Sequence, residues 1–276
     1  MTKPGHAVIK LSAPETREFW PLPVLWEDAS LLALDKPSGL LTSPDRYDPR
    51  RPNLITLLHR GIARGAAWAQ ERQLDYLANA NRLDFETSGV ILLAKDKPAL
   101  IALANQFGVE QANKIYMTLV CGAPAQDGFA INAKLAADPA RFGLMRADPK
   151  QGRKATTNLE VAERFSGYTL LKCRPITDRA HQIRAHLRHA RLPIVGDTSY
   201  GGPPLLLSKL KTDYRSKPNV AERPLIDCIA LHLEQLTIEH PLTGAAQTIT
   251  APWPKDLMVA VKYLRRYAGA DSSSSS

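Results

Sequence analysis

The chain has 276 residues, 44% of them hydrophobic, with a formal net charge of +9 and three cysteines. Such a chain can bury a full core. No window approaches the ~18 consecutive apolar residues of a membrane span, and residues 1–21 lack the apolar centre of a secretion signal. The positive balance points to an anionic partner, nucleic acid first, while Cys121, Cys173 and Cys228 are widely spaced, form no CxxC pair and suit reduced thiols in a cytoplasmic protein.

Residues 1–20 are polar and weakly patterned and read as a flexible N-terminal arm. Val24–Trp26 and Leu31–Leu34, separated by Glu27-Asp28-Ala29-Ser30, predict a hairpin that runs into the turn Asp35-Lys36-Pro37-Ser38-Gly39 and leaves Lys36 at the sheet margin. Leu54, Leu57, Leu58 and Ile62 predict a helix over 54–63.

Residues 81–95 read Asn-Arg-Leu-Asp-Phe-Glu-Thr-Ser-Gly-Val-Ile-Leu-Leu-Ala-Lys, a polar loop feeding an unbroken apolar run. The run fits a strand buried on both faces, and a loop delivered onto such a strand is rigidly held. Taken alone, Asp84 is better explained as a turn cap than as a catalytic carboxylate. Asp96 then caps a helix with Pro98 in its first turn and Leu100, Leu103, Ala104 and Phe107 as its inner stripe. Lys114 to Val120 alternates and places Tyr116 with the polar residues.

Ala130–Leu135, Thr157–Arg164 and Tyr168–Cys173 predict strands without intervening helices, hence antiparallel pairing. Between the first two lies a basic hairpin with Arg141, Arg146, Lys150, Arg153 and Lys154, which suits either a solvated edge or a phosphate-contacting arm. Thr177 to His189 predicts a helix with His181, Arg184 and Arg188 on one face; its three histidines do not share a face, which argues against zinc. Residues 205–223 read as a basic insertion, Ile229–Ile238 and Ala246–Ala251 as a hairpin, and Leu257, Val261 and Leu264 as the stripe of a last helix. The serines at 272–276 place a disordered tail over 269–276.

Four of these stretches, in order, resemble the RluA-type pseudouridine synthases: Val24–Leu40 with its Lys-Pro-x-Gly turn; Arg82-Leu83-Asp84 with Thr87-Ser88-Gly89 and Ala94-Lys95; Lys114-x-Tyr116; and His181-Gln182-Ile183-Arg184-x-His186 followed by Pro193–Asp197 and Tyr200-Gly201. The likeness covers Leu22 to Tyr267. It departs at Asn81, where the family usually has histidine, at Asp178 and Ala180 ahead of His181, and at Arg191.

The resemblance implies an α+β fold: one catalytic domain over 21–268, built on a curved, mainly antiparallel mixed sheet with flanking helices and a cleft across it. Twenty residues before it leave no room for an S4 module. It also implies isomerisation of uridine to pseudouridine in a structured ribosomal or transfer RNA, by a monomer, with no membrane association. Asp84 would be the carboxylate at the ribose, attacking C1′ or removing the C2′ proton; Arg184 would hold it charged, and Tyr116 would lie against the uracil. Arg82 would fill the space of the flipped base, with Lys36, Arg179, His181 and Arg188 contacting substrate. The reaction gains no atom or electron, so it calls for no cofactor and no metal. A non-catalytic RNA binder and a hydrolytic glycosidase are the rival readings; the first has no need of the carboxylate, and the second needs another one.

Overall fold

The computed structural model describes residues 7–215 and 220–269. The chain runs β1 (Val8–Ala13), β2 (Glu18–Glu27), β3 (Leu31–Lys36), α1 (Leu54–Ala63), α2 (Ala67–Gln70), β4 (Ala78–Asn79), β5 (Ser88–Ala94), α3 (Lys97–Gly108) and β6 (Asn113–Cys121). It continues with β7 (Gly128–Asn132), β8 (Leu135–Ala137), β9 (Met145–Ala147), β10 (Thr156–Phe165), β11 (Tyr168–Pro175), α4 (Gln182–His189) and a 3-10 turn at Thr198–Tyr200. α5 (Leu207–Leu210), β12 (Leu231–Glu239), β13 (Ala246–Thr250) and α6 (Lys255–Tyr267) complete it. This is an α+β fold with a largely antiparallel sheet, and it divides into two compact units, one of residues up to Lys114 with Leu233–Pro252, the other of Ile115–His232 with residues from Trp253 on.

In the first unit the strand order is β1-β2-β3-β5-β12, with β4 on β5 and β13 on β12. The hairpin between β2 and β3 turns at Asp28, whose carboxylate accepts the amides of Ser30 and Leu31 at 2.9 and 2.8 Å. β3 and β5 pair antiparallel, Leu34 opposite Ile91 and Lys36 opposite Gly89. Leu32, Leu34, Ile91 and Leu93 pack with Leu54, Leu57 and Leu58 of α1. The start of α1 is set by Asn53, whose side chain accepts the Thr56 amide at 2.9 Å.

The expected arm over 1–20 is corrected here. Residues 1–6 lie outside the described residues, but Val8–Ala13 pairs antiparallel with Glu18–Pro23. Ile9, Leu11 and Ala13 are buried while Lys10 and Ser12 are exposed, a period-two pattern too short to stand out from its polar neighbours. The domain boundary expected at residue 21 therefore falls inside β2. In α3 the N-cap is Asp96 as predicted, its carboxylate accepting the Ala99 amide at 2.7 Å, but the buried positions are Ala99 and Leu103 while Ala104 is exposed.

In the second unit the order is β6-β11-β10-β7, all antiparallel. β8 and β9 form a separate two-stranded hairpin that starts earlier than the basic one expected; Arg141 and Arg146 lie within it, and Lys150, Arg153 and Lys154 follow on its C-terminal side. α6 buries Leu257, Ala260, Val261 and Leu264 against a core that includes Leu171, Ile183 and Leu187. Gly269, expected in the tail, bridges to Phe165, and the rest of that expectation, 270–276, lies outside the described residues. Within the stretch 205–223, α5 is formed and 216–219 are likewise outside.

Candidate active site

β5 is buried at all its positions, and the loop 81–87 that leads into it is fixed by side chains on both sides of Leu83. Asn81, 5% exposed, accepts the Leu92 amide through its carboxamide oxygen at 2.8 Å and donates to the Val90 carbonyl at 3.1 Å. Next to it the Ala80 amide donates to the Leu92 carbonyl at 2.8 Å. Thr42 holds Leu83 from the other direction: its hydroxyl donates to the Leu83 carbonyl at 2.9 Å and accepts the Leu83 amide at 3.1 Å. The Gly39 amide donates to the Phe85 carbonyl at 2.8 Å, and the Arg51 guanidinium lies 4.9 Å from the Phe85 ring centre.

Within this frame Arg82 is exposed and Asp84 half-buried, so the two neighbours of Leu83 face different surroundings. The Asp84 carbonyl accepts the Thr87 amide at 3.2 Å, which closes the turn. Glu86 is half-buried like Asp84. Gly89 has φ +117, and a Cβ there would come 2.2 Å from the Leu233 carbonyl oxygen, so only glycine lets β5 lie this close to β12.

Lys36 requires a correction. It is fully buried, and its ammonium donates to the carbonyls of Pro37 at 2.8 Å and Leu40 at 2.7 Å. A buried ammonium must be hydrogen-bonded. Here the turn beside the loop 81–87 supplies partners, so the ammonium is buried rather than left at the sheet margin as the sequence suggested. Neighbouring Asp35 has its carboxyl pushed up to about 6 by burial, against the opposing pull of the Lys36 charge.

In the second unit, Tyr116 sits half-buried on β6 opposite Cys173 of β11. α4 is introduced by His181 in the left-handed conformation, φ 50. Arg184 is 2% exposed and forms a fork with Asp197, itself 1% exposed: Nε to Oδ2 at 2.7 Å and Nη2 to Oδ1 at 2.9 Å. A guanidinium carries five N–H donors, of which this pair uses two. The Arg184 guanidinium also lies 4.9 Å from the ring centre of Tyr200, and the Tyr200 hydroxyl is 2.9 Å from His181 Nδ1.

Arg179 is half-buried and donates to the Asp178 carbonyl at 3.0 Å, while Arg188 is exposed at the far end of α4. Buried His186 has both ring nitrogens engaged: Nε2 donates to the Ala133 carbonyl at 3.0 Å and Nδ1 pairs with the Thr157 hydroxyl at 2.9 Å. Burial holds its pKa below the ordinary value. Gln182 extends this network, donating to Thr157 and Thr156 and accepting from Thr177.

Of the expected site residues, the structure thus groups His181 with Arg184 around Tyr200, and Arg82 with Asp84 on the pinned loop. Sequence reasoning missed Thr42, and it gave Asp197 and Tyr200 no role although both stand in the last signature stretch. Both lie between Gly196 and Gly201, which are at positive φ, a turn geometry that aims the residues between them.

The family described as RNA pseudouridylate synthase matches residues 30–189. The ribosomal large subunit pseudouridine synthase D of Xanthomonas campestris is 36% identical over 255 residues, covering 89% of this chain and 70% of that protein. The protein of the same description from Xylella fastidiosa is 36% identical over 245 residues, with the same coverage of both chains. Among solved structures, human RNA pseudouridylate synthase domain containing 4 is similar in fold, with a TM-score of 0.68 at 22% identity over 88% of this chain and 92% of that one. On the matching motifs, the fold and these relatives, the chain belongs to the RluA-type family of RNA pseudouridine synthases, enzymes that isomerise uridine to pseudouridine in RNA.

Proposed function

We propose that the substrate is a folded segment of large-subunit ribosomal RNA and that Asp84 is the carboxylate that works at the ribose. The two bacterial relatives, described as ribosomal large subunit pseudouridine synthases, support the choice of RNA. The pinned loop carries the assignment of Asp84: Asn81 and Thr42 hold the backbone on both sides of Leu83, and Asp84 is half-buried beyond it. A nucleophile or base gains most from such prior placement.

A uridine inside a helix has to be flipped out before its glycosidic bond can be reached, at a cost of a few kcal/mol. Arg82, exposed on the same loop, occupies the space the base leaves. The freed uracil stacks on Tyr116, a contact worth ~1–3 kcal/mol. Asp84 then attacks C1′ or removes the C2′ proton; the N1 bond breaks, the base turns, and C5 joins the same ribose carbon. The C5 proton leaves to solvent and N1 takes one up, while Asp84 leaves C1′ or returns the proton to C2′, so that the product is an isomer of the substrate. Arg184, oriented by Asp197, serves the chemical step, as its place in the family motif implies. Arg179, His181 and Arg188 contact the RNA around the target nucleotide. No cofactor or metal enters this balance.

We place the enzyme in the cytoplasm as a monomer, with its three cysteines as free thiols. The test uses large-subunit RNA labelled with tritium at uridine C5. Wild type releases tritium from it and not from transfer RNA, and Asp84→Asn binds the RNA with wild-type affinity but releases at least about a thousandfold more slowly. Release from transfer RNA alone overturns the choice of substrate, and near wild-type release by Asp84→Asn overturns the choice of carboxylate.

A further inference from the structure

Tyr200 belongs to none of the roles assigned so far, yet it is 1% exposed and makes four specific contacts inside the second unit. Its hydroxyl accepts the Met145 amide at 2.8 Å and pairs with His181 Nδ1 at 2.9 Å. Its ring meets the His181 ring edge-on at 5.8 Å between centres and carries the Arg184 guanidinium at 4.9 Å. The turn that delivers it is built for the purpose: Asp197, whose carboxylate holds Arg184, also accepts the Tyr200 amide through its carbonyl at 2.9 Å, and Gly201 follows at φ +87.

Met145 opens β9, the second strand of the basic hairpin. That hairpin, with the segment that follows it, has Arg146, Lys150, Arg153 and Lys154 exposed, a cluster that suits phosphates. A second bond fastens it to the same turn: Arg141 Nη1 donates to the Ser199 carbonyl at 3.1 Å. Tyr200 also packs with Leu135 and Ala155 at the ends of the hairpin and with Ala185 of α4. A single side chain therefore touches the backbone of the hairpin, the residue that introduces α4, and the guanidinium of Arg184.

We propose that Tyr200 is a positioning residue that registers the RNA-binding hairpin against Arg184. Its two halves do different work. The hydroxyl latches the hairpin and His181, and so serves RNA binding. The ring keeps the Arg184 guanidinium flat beside Asp197, and so serves the chemical step. This rests on the proposed roles of Arg184 and of the hairpin in an RNA-modifying reaction.

Tyr200→Phe and Tyr200→Leu separate the halves, since the first keeps the ring and loses only the hydroxyl. Three quantities are measured: hydrogen exchange of the Met145 amide, affinity for the substrate RNA, and the single-turnover rate at saturating enzyme. Tyr200→Phe exposes the Met145 amide, weakens RNA binding about tenfold and leaves the single-turnover rate within about twofold of wild type. Tyr200→Leu shows the same weaker binding and in addition slows turnover by about thirtyfold or more, because Arg184 has lost its platform.

Unchanged RNA affinity in Tyr200→Phe overturns the latch, and an unchanged single-turnover rate in Tyr200→Leu overturns the platform. A fall of binding and rate by one common factor in both variants makes Tyr200 merely structural and overturns both. Should wild type turn over no RNA at all, the functional reading itself has failed, while Met145 exchange and RNA affinity still decide the latch.

Discussion

Asn81 pairs with Leu92 as a strand would: the carboxamide takes the Leu92 amide at 2.8 Å, and its own N–H group reaches back to the Val90 carbonyl at 3.1 Å. The side chain thus continues, for one more step, the ladder that Ala80 makes with β5, at the point where the backbone turns away to form the catalytic loop. Asn81→Ala strips two buried backbone groups of their partners and costs about 2–4 kcal/mol. Urea unfolding measures that loss, and the single-turnover rate falls with it because Asp84 sits three residues along the released loop.

Thr87 is 2% exposed, and its hydroxyl has no hydrogen-bond partner among the described residues. A valine of nearly the same shape removes an unsatisfied group. Thr87→Val therefore raises stability by about 1 kcal/mol, read as a higher melting temperature. A drop in melting temperature would show that the hydroxyl has a partner in solution.

Asp35 has a carboxyl raised to about 6 by burial, despite the nearby Lys36 charge. Its folded value lies above the unfolded one near 3.8, so between these two pH values the folded state holds more protons than the unfolded state, and stability falls as pH rises. The cost is absent below the unfolded value and complete above the folded one. Asp35→Asn is then more stable than wild type at pH 8, by about 3 kcal/mol, and nearly equal to it at about pH 3.5. Melting curves at the two pH values test the sign directly.

Asp197 and Arg184 are almost fully buried as a pair. Removing one charge from such a pair leaves the other without compensation and costs about 3–5 kcal/mol. Asp197→Asn keeps the shape and one acceptor but not the charge. Its expected signature is a lower urea midpoint, and a slower chemical step at saturating RNA.

What could be read from the chain followed the range of the forces involved. α1, α6 and the hairpin of β2 and β3 announce themselves because their apolar spacing and turn residues are local. β1 did not, since six residues of alternation at a chain end carry too little pattern. The motif residues Asp84 and Arg184 were legible through the family likeness, but the residues that hold them were not. Thr42 acts 41 positions from Leu83, and Asp197 acts 13 positions from Arg184; neither partnership leaves a periodic trace. Lys36 shows the opposite error, a charge that looks exposed in sequence and is consumed by its own turn.

The hydroxyl of Thr42 fastens Leu83 at both its amide and its carbonyl, and so makes that residue a fixed pivot in the middle of the loop. Torsions on one side of a pivot do not propagate to the other. In the proposed reaction, the residue that opens the RNA and the carboxylate that acts on it thus stand on either side of one anchored point.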